Sequence, residues 1–206
     1  MTDLLKWDQD LLCEKAYHEL LVRLESVGAG SPTGRLYHIC YGRPDQLKIV
    51  DVWDSARHFQ EFAATLVPIL EDLGGKPLEA DVWPVYIIIR PPWTGIVPPG
   101  CLLIKFGPPG MDVCQYEEIM KRLGEAGHGE PPERLYHVCY REENALRVIS
   151  VWRNVRALRE FMEQVTRICL DLRIPRVPVT EPVIEDVLHI IDGSPLPPPP
   201  SPRRPN

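Results

Sequence analysis

The sequence predicts an α+β protein that uses one β-α-β-β-α-β unit twice, and three observations carry the prediction. Arg35-Leu36-Tyr37-His38-Ile39-Cys40-Tyr41 returns as Arg134-Leu135-Tyr136-His137-Val138-Cys139-Tyr140, an offset of 134 − 35 = 99. The same offset joins Tyr17 to Tyr116, Arg23-Leu24 to Arg122-Leu123, Val52-Trp53 to Val151-Trp152 and Glu61-Phe62 to Glu160-Phe161, as duplication without insertion requires. Within each copy the apolar residues switch between the two-residue period of a strand and the 3.6-residue period of a helix.

The elements follow in order. Residues 3–7 are a short candidate strand, matched by the stronger run Cys101 to Phe106. Leu12, Tyr17, Leu20, Leu21 and Leu24 then fall at near-helical spacing, repeated by Met111, Tyr116, Ile119, Met120 and Leu123. Gly- and Pro-rich stretches at 28–34 and 124–132 break the chain. Two strands, 35–41 and 47–53, flank the turn Gly42-Arg43-Pro44-Asp45. Ser55 stands where an N-cap belongs, and a helix with Phe59, Phe62, Leu66, Ile69 and Leu73 runs to Gly74-Gly75. A last strand covers about 82–90, and its Pro84 implies a strand start or a sheet edge. This order is the split βαβ, or ferredoxin-like, arrangement. The predicted division is 1–90 for the first unit, 91–100 for a stiff Pro-rich linker, 101–192 for the second unit and 193–206 for a disordered Pro-rich tail. The tail also admits a reading as a proline-motif ligand for a partner domain.

Alternation along the strands shows how the units should pack. Leu36, His38 and Cys40 point to one side and Tyr37, Ile39 and Tyr41 to the other; Ile49, Asp51 and Trp53 oppose Lys48, Val50 and Val52. Neither side is a clean solvated face, so both need cover. Packing the two units sheet to sheet supplies it, as a pseudo-twofold barrel of about eight strands. The chain would then be a pseudo-dimer in itself, with a further homodimer left open.

Composition narrows the function. The chain has 206 residues, 44% hydrophobic and 25% charged, with a net charge of −6 that argues against a nucleic-acid surface. No apolar run of about 18 residues occurs, so no membrane partner is expected. The acidic N-terminus lacks the pattern of a secretory signal, which points to the cytoplasm. Cys13, Cys40, Cys101, Cys114, Cys139 and Cys169 form no C-x-x-C pair and read as buried thiols. No metal motif, phosphate loop or dinucleotide fingerprint is present, so no cofactor is expected. The run Gly107-Pro-Pro-Gly110 is a turn, since prolines lack the amide donors of a phosphate cradle.

Leu36-Tyr37-His38 on one strand, then Val50-Asp51-Val52-Trp53-Asp54-Ser55 leading into a helix with spaced Phe, resembles the dimeric α+β barrel superfamily, in its antibiotic-biosynthesis-monooxygenase-like branch. In the second unit the motif has drifted to Ile149-Ser150-Val151-Trp152-Arg153-Asn154. The resemblance covers nearly the whole chain except linker and tail. It implies the barrel fold, and a range of activities among which fold cannot choose: cofactor-free oxygenases, haem-handling proteins, lactone isomerases and polyketide cyclases.

The candidate catalytic residues are His38, Asp51 and His137. Parity allows His38, Asp51 and Trp53 to share one face, giving a His oriented by a carboxylate and walled by an indole, a plausible general base. Ser150 replaces Asp51 in the second half, so the halves are expected to differ in activity. A structural His in a preserved core is the other reading. Trp53 and Trp152 read as core aromatics or pocket walls. Tyr37, Tyr41, Tyr136 and Tyr140, on the opposite face, read as packing or as donors to a ligand oxygen. The resulting expectation is a cofactor-independent enzyme of secondary metabolism. It would act on a hydrophobic, aromatic or polyketide-like molecule by oxygenation, isomerisation or cyclisation. A non-catalytic binding or assembly protein is the alternative, and a haem-binding relative the third.

Overall fold

A computed structural model describes residues 2–75, 80–89, 98–107, 110–174 and 183–193. The elements are β1 (Asp3–Leu12), α1 (Glu14–Ser26), β2 (Arg35–Arg43), β3 (Gln46–Trp53), α2 (Ala56–Asp72), β4 (Asp81–Ile89), β5 (Leu102–Phe106), α3 (Val113–Glu125), β6 (Arg134–Glu142), β7 (Ala145–Trp152), α4 (Val155–Asp171) and β8 (Val183–Asp192). Bounds of α1 and α3, of β2 and β6, and of α2 and α4 stand 99 apart at both ends, as 113 − 14 and 125 − 26 illustrate. Most of the expected linker and the whole tail beyond residue 193 lie outside the described residues.

The eight strands close into one antiparallel barrel, in the order β1-β3-β2-β8-β5-β7-β6-β4. Each half contributes a ferredoxin-like run, β4-β1-β3-β2 and β8-β5-β7-β6. The open edges meet: β2 pairs with β8 and β4 pairs with β6. Closure removes every sheet edge, which is how this fold avoids unpaired backbone. Pro84 is therefore not at an edge; it sits inside β4, opposite Asp3 of β1. β1 is also longer than the expected 3–7, with an irregularity between Trp7 and Leu12.

Side chains divide between the inside of the barrel and the layer under the helices. The barrel interior holds Tyr37, Ile39, Tyr41, Val50, Val52 and their second-half counterparts in one apolar cluster. At its centre Tyr37 and Tyr136 stack, rings 3.5 Å apart and 4° from parallel. Outside the barrel α1 and α2 cover Trp7, Cys40 and Trp53, while α3 and α4 cover Cys139, Leu146 and Trp152. Helix α1 buries Tyr17, Leu20 and Leu24, and α3 buries Tyr116, Ile119 and Leu123, each an i, i+3, i+7 stripe.

Strict alternation fails at one residue per half. Arg35 faces Trp53 and Tyr37 faces Val52, so Leu36 is an extra residue in β2; Leu135 is the same in β6. This bulge sends Leu36 into the barrel with Tyr37, against the expected sharing of a face with His38 and Cys40. It turns Arg35 and Arg134 towards α2 and α4, where both are buried over Phe62 and Phe161. The cysteines also divide: Cys40, Cys101 and Cys139 are buried as expected, Cys169 is half-buried, and Cys13 and Cys114, at the N-terminal ends of α1 and α3, are exposed.

Candidate active site

Under α1 the first half assembles a chain of four polar side chains. His38 of β2 and Asp51 of β3 are direct cross-strand partners on the helix side. Their side chains meet at 2.6 Å, His38 Nδ1 to Asp51 Oδ1. Tyr17 of α1 reaches down with its hydroxyl 2.9 Å from His38 Nε2, its ring 2° from parallel with the imidazole. The same hydroxyl lies 2.8 Å from Nδ1 of His189 on β8. Tyr17, His38 and Asp51 are at most 5% exposed, whereas His189 is half-buried.

This environment sets the protonation states. Burial, then Cys40 and Asp51, raise the Tyr17 phenol far above its ordinary value, so it stays a donor. Burial, followed by His38, His18 and Arg35, lowers His189 to about 4, which keeps it neutral at physiological pH. Burial also pushes the Cys40 thiol up to about 12, so it is no thiolate nucleophile.

Besides Trp83 Nε1 of β4, three buried N–H donors of this half have no hydrogen-bond partner among the described residues: Trp7 Nε1, Trp53 Nε1 and Arg35 Nε. They gather around two rings of α2. Trp7 and Trp53 each lie 5.7 Å from Phe59, while Trp53 and the Arg35 guanidinium lie 5.4 and 5.8 Å from Phe62. Unspent buried donors are uncommon and favour a missing acceptor.

The second half repeats the frame with different chemistry. His137 Nδ1 meets Ser150 Oγ at 2.9 Å and its Nε2 meets Tyr116 at 2.8 Å. Burial, then Arg134, lowers His137 to about 3, leaving it a neutral ring with both nitrogens engaged. Opposite Cys139, β4 presents Ile87, where β8 presents His189 opposite Cys40. Here a cavity of about 50 Å³ opens between sheet and helices, lined by Met111, Met120, Met162, Tyr116, His137, Ser150, Trp152, Phe161 and apolar neighbours. The three methionines stand where the first half has Leu12, Leu21 and Ala63.

Of the residues singled out from sequence, His38, Asp51 and Trp53 therefore share the helix side of one half, and His137 and Trp152 that of the other. Tyr37, Tyr41, Tyr136 and Tyr140 lie inside the barrel, apart from both histidines. Sequence reasoning passed over Tyr17, Tyr116, Arg35, Arg134 and His189. The recurrence of Tyr17 and Arg35 at the 99-residue offset was a usable signal for the first four; nothing local marks His189. Among the described residues no three His, Cys, Asp or Glu side chains group as a metal site, and no helix is long and apolar enough to cross a membrane.

No protein-family model and no curated protein matches the chain. Solved structures do. A "putative monooxygenase" of Fusobacterium nucleatum superposes with a TM-score of 0.61 at 11% identity, covering 95% of each chain. A "putative chlorite dismutase" superposes at 0.52 and 10% identity, covering 93% of this chain and 94% of that one. A heme-degrading enzyme of Listeria monocytogenes reaches 0.45 at 10% identity, over 90% and 97%. The first two establish a shared α+β fold.

Proposed function

We propose that the chain is a tandem fusion of two ferredoxin-like units acting as a cofactor-independent enzyme on a small aromatic or polyketide-like molecule. The His38–Asp51 pair is the proton acceptor. The observation that carries this reading is the 2.6 Å contact between His38 Nδ1 and Asp51 Oδ1, because a carboxylate there orients the imidazole. The unspent N–H groups of Trp7, Trp53 and Arg35 support a substrate carrying a carbonyl or phenolic oxygen. Removing a proton next to such an oxygen makes an enolate or phenolate, and fixed donors lower the barrier by stabilising it. Oxygenation, isomerisation and cyclisation all begin from that anion.

The second half favours another role, binding without proton abstraction. His137 is neutral and lacks a carboxylate, and three flexible methionines line the cavity. A cavity of about 50 Å³ is smaller than the roughly 150 Å³ that admits benzene, so a ring enters only as the methionines move. Haem does not fit there: the space is far below the roughly 300 Å³ of a small ligand pocket, and both His137 nitrogens are engaged.

The test is a binding and turnover screen of the purified protein against aromatic and polyketide-type compounds, with His38→Ala and Asp51→Ser alongside. Asp51→Ser copies the residue the second half carries at the same position. Wild-type turnover that drops about a hundredfold or more in both variants supports the enzyme reading. Binding without turnover favours a carrier, and turnover indifferent to both variants rejects the His38–Asp51 assignment.

A further inference from the structure

We infer that the first-half site is completed by His189 of β8, the outer end of a hydrogen-bonded relay that runs through Tyr17 and His38 to Asp51. The inference rests on the proton-abstracting role proposed above and changes which group meets the substrate. With Asp51 ionised and His38 neutral in the resting protein, the directions of the hydrogen bonds follow by elimination. An ionised Asp51 only accepts, so His38 Nδ1 donates to it. His38 Nε2 then holds a lone pair and accepts from the Tyr17 hydroxyl. The remaining contact at the Tyr17 oxygen is donated by His189 Nδ1, which leaves His189 Nε2 as a lone pair with no partner among the described residues. The four residues are thereby joined in one consistent order, ending on the unpartnered Nε2 lone pair at the half-buried end.

His38 is thus spoken for on both nitrogens, and a substrate arriving from solvent meets His189 first. The proton balance is complete without a co-reactant. His189 Nε2 takes a proton from the substrate, His189 Nδ1 passes one to Tyr17, and Tyr17 passes its own to His38 Nε2. The products are a substrate anion and an imidazolium at His38 beside the Asp51 carboxylate. Reversal returns the proton to the product. Short hydrogen bonds of 2.6–2.9 Å connect each step, and burial holds the Tyr17 phenol far above its ordinary value, so it is a conduit that never rests as phenolate. The charged and titratable groups around His189 are His18 and Tyr17 of α1 and Arg35, His38 and Cys40 of β2, with Asp51 behind them. The second half lacks both ends of the relay, with Ser150 for Asp51 and Ile87 opposite Cys139, which agrees with a single reacting site.

The relay makes a claim that needs no substrate. In the wild-type protein, nitrogen-15 NMR of the imidazoles should find both His38 and His189 as the Nδ1–H tautomer. In Tyr17→Phe the His189 proton loses its acceptor and the ring reverts to the Nε2–H form of a solvated imidazole, while His38 stays fixed by Asp51. A wild-type His189 in the Nε2–H form, or one indifferent to Tyr17→Phe, overturns the relay. With any compound the screen shows to be turned over, His189→Gln should lower kcat about a hundredfold with KM little changed; an unchanged kcat overturns the role of His189. If the tautomers are as stated and the wild type turns over nothing, the hydrogen-bonded chain stands and the enzyme reading fails.

Discussion

A single substitution separates the two histidines that the repeat holds in register. His38 sits against a carboxylate and His137 against a hydroxyl, and burial keeps His137 neutral. The consequence for pH is definite. Folding holds His137 near 3, well below the ordinary histidine value, so the unfolded chain binds a proton that the folded chain refuses between about 6.5 and 3. Stability from this group is whole above about pH 6.5 and drains away as pH falls through that window; His189, lowered to about 4, acts in the same direction. Thermal or urea unfolding followed from pH 7.5 to 4.5 should show it. His137→Gln should flatten the slope by about 1 kcal/mol per pH unit below pH 6. An identical slope in the variant would mean that His137 is not buried neutral.

Helices α2 and α4 are equal in length, and their ends differ in instructive ways. Both finish on a left-handed residue whose N–H bonds back into the last turn: Gly74 to Glu71 and Arg173 to Leu170. Glycine adopts φ 74 freely, but Arg173 at φ 53 bears the steric cost of its Cβ. Arg173→Gly should therefore stabilise the protein by about 1 kcal/mol, read as a rise in unfolding midpoint. Within α2, Pro68 is exposed and breaks the hydrogen-bond ladder where α4 has Arg167. Pro68→Ala restores one donor and should stabilise by about 1–3 kcal/mol. A loss of stability in either variant would show that the local conformation is held by something other than helix geometry. At the opposite end of α2 the cap read from sequence is made, Ser55 accepting from the His58 amide, and the structure adds a reciprocal box of Asp112 and Gln115 at α3 that the sequence reading did not include.

On the scale of the molecule, the halves are joined by backbone as well as by side chains. The β2–β8 and β4–β6 ladders cross between them, and the Tyr37–Tyr136 stack ties them at the barrel centre. Neither half can open without stripping an edge from the other. Unfolding should thus be one transition, with calorimetric and van't Hoff enthalpies equal and tryptophan fluorescence coincident with circular dichroism. Tyr37→Ala should lower stability by about 3 kcal/mol and keep the single transition. Two separated transitions in the wild type would mean that the ladders between halves contribute little.

The element order, the recurrence of the motif and the faces of His38, Asp51 and Trp53 were legible in the sequence, because period and parity are local properties of the chain. The spacing of 99 between β2 and β6 or α2 and α4 is likewise a sequence property. Parity failed at Leu36, since a bulge costs one residue of register and leaves no mark in composition. Which edges would close, and therefore that Pro84 lies inside a strand and His189 beside Tyr17, was decided by tertiary structure alone. A hydrophobic pattern states that a residue is to be covered without stating what covers it. The contact between Tyr17 and His189 spans 172 residues of sequence and exists only because β8 of one half pairs with β2 of the other.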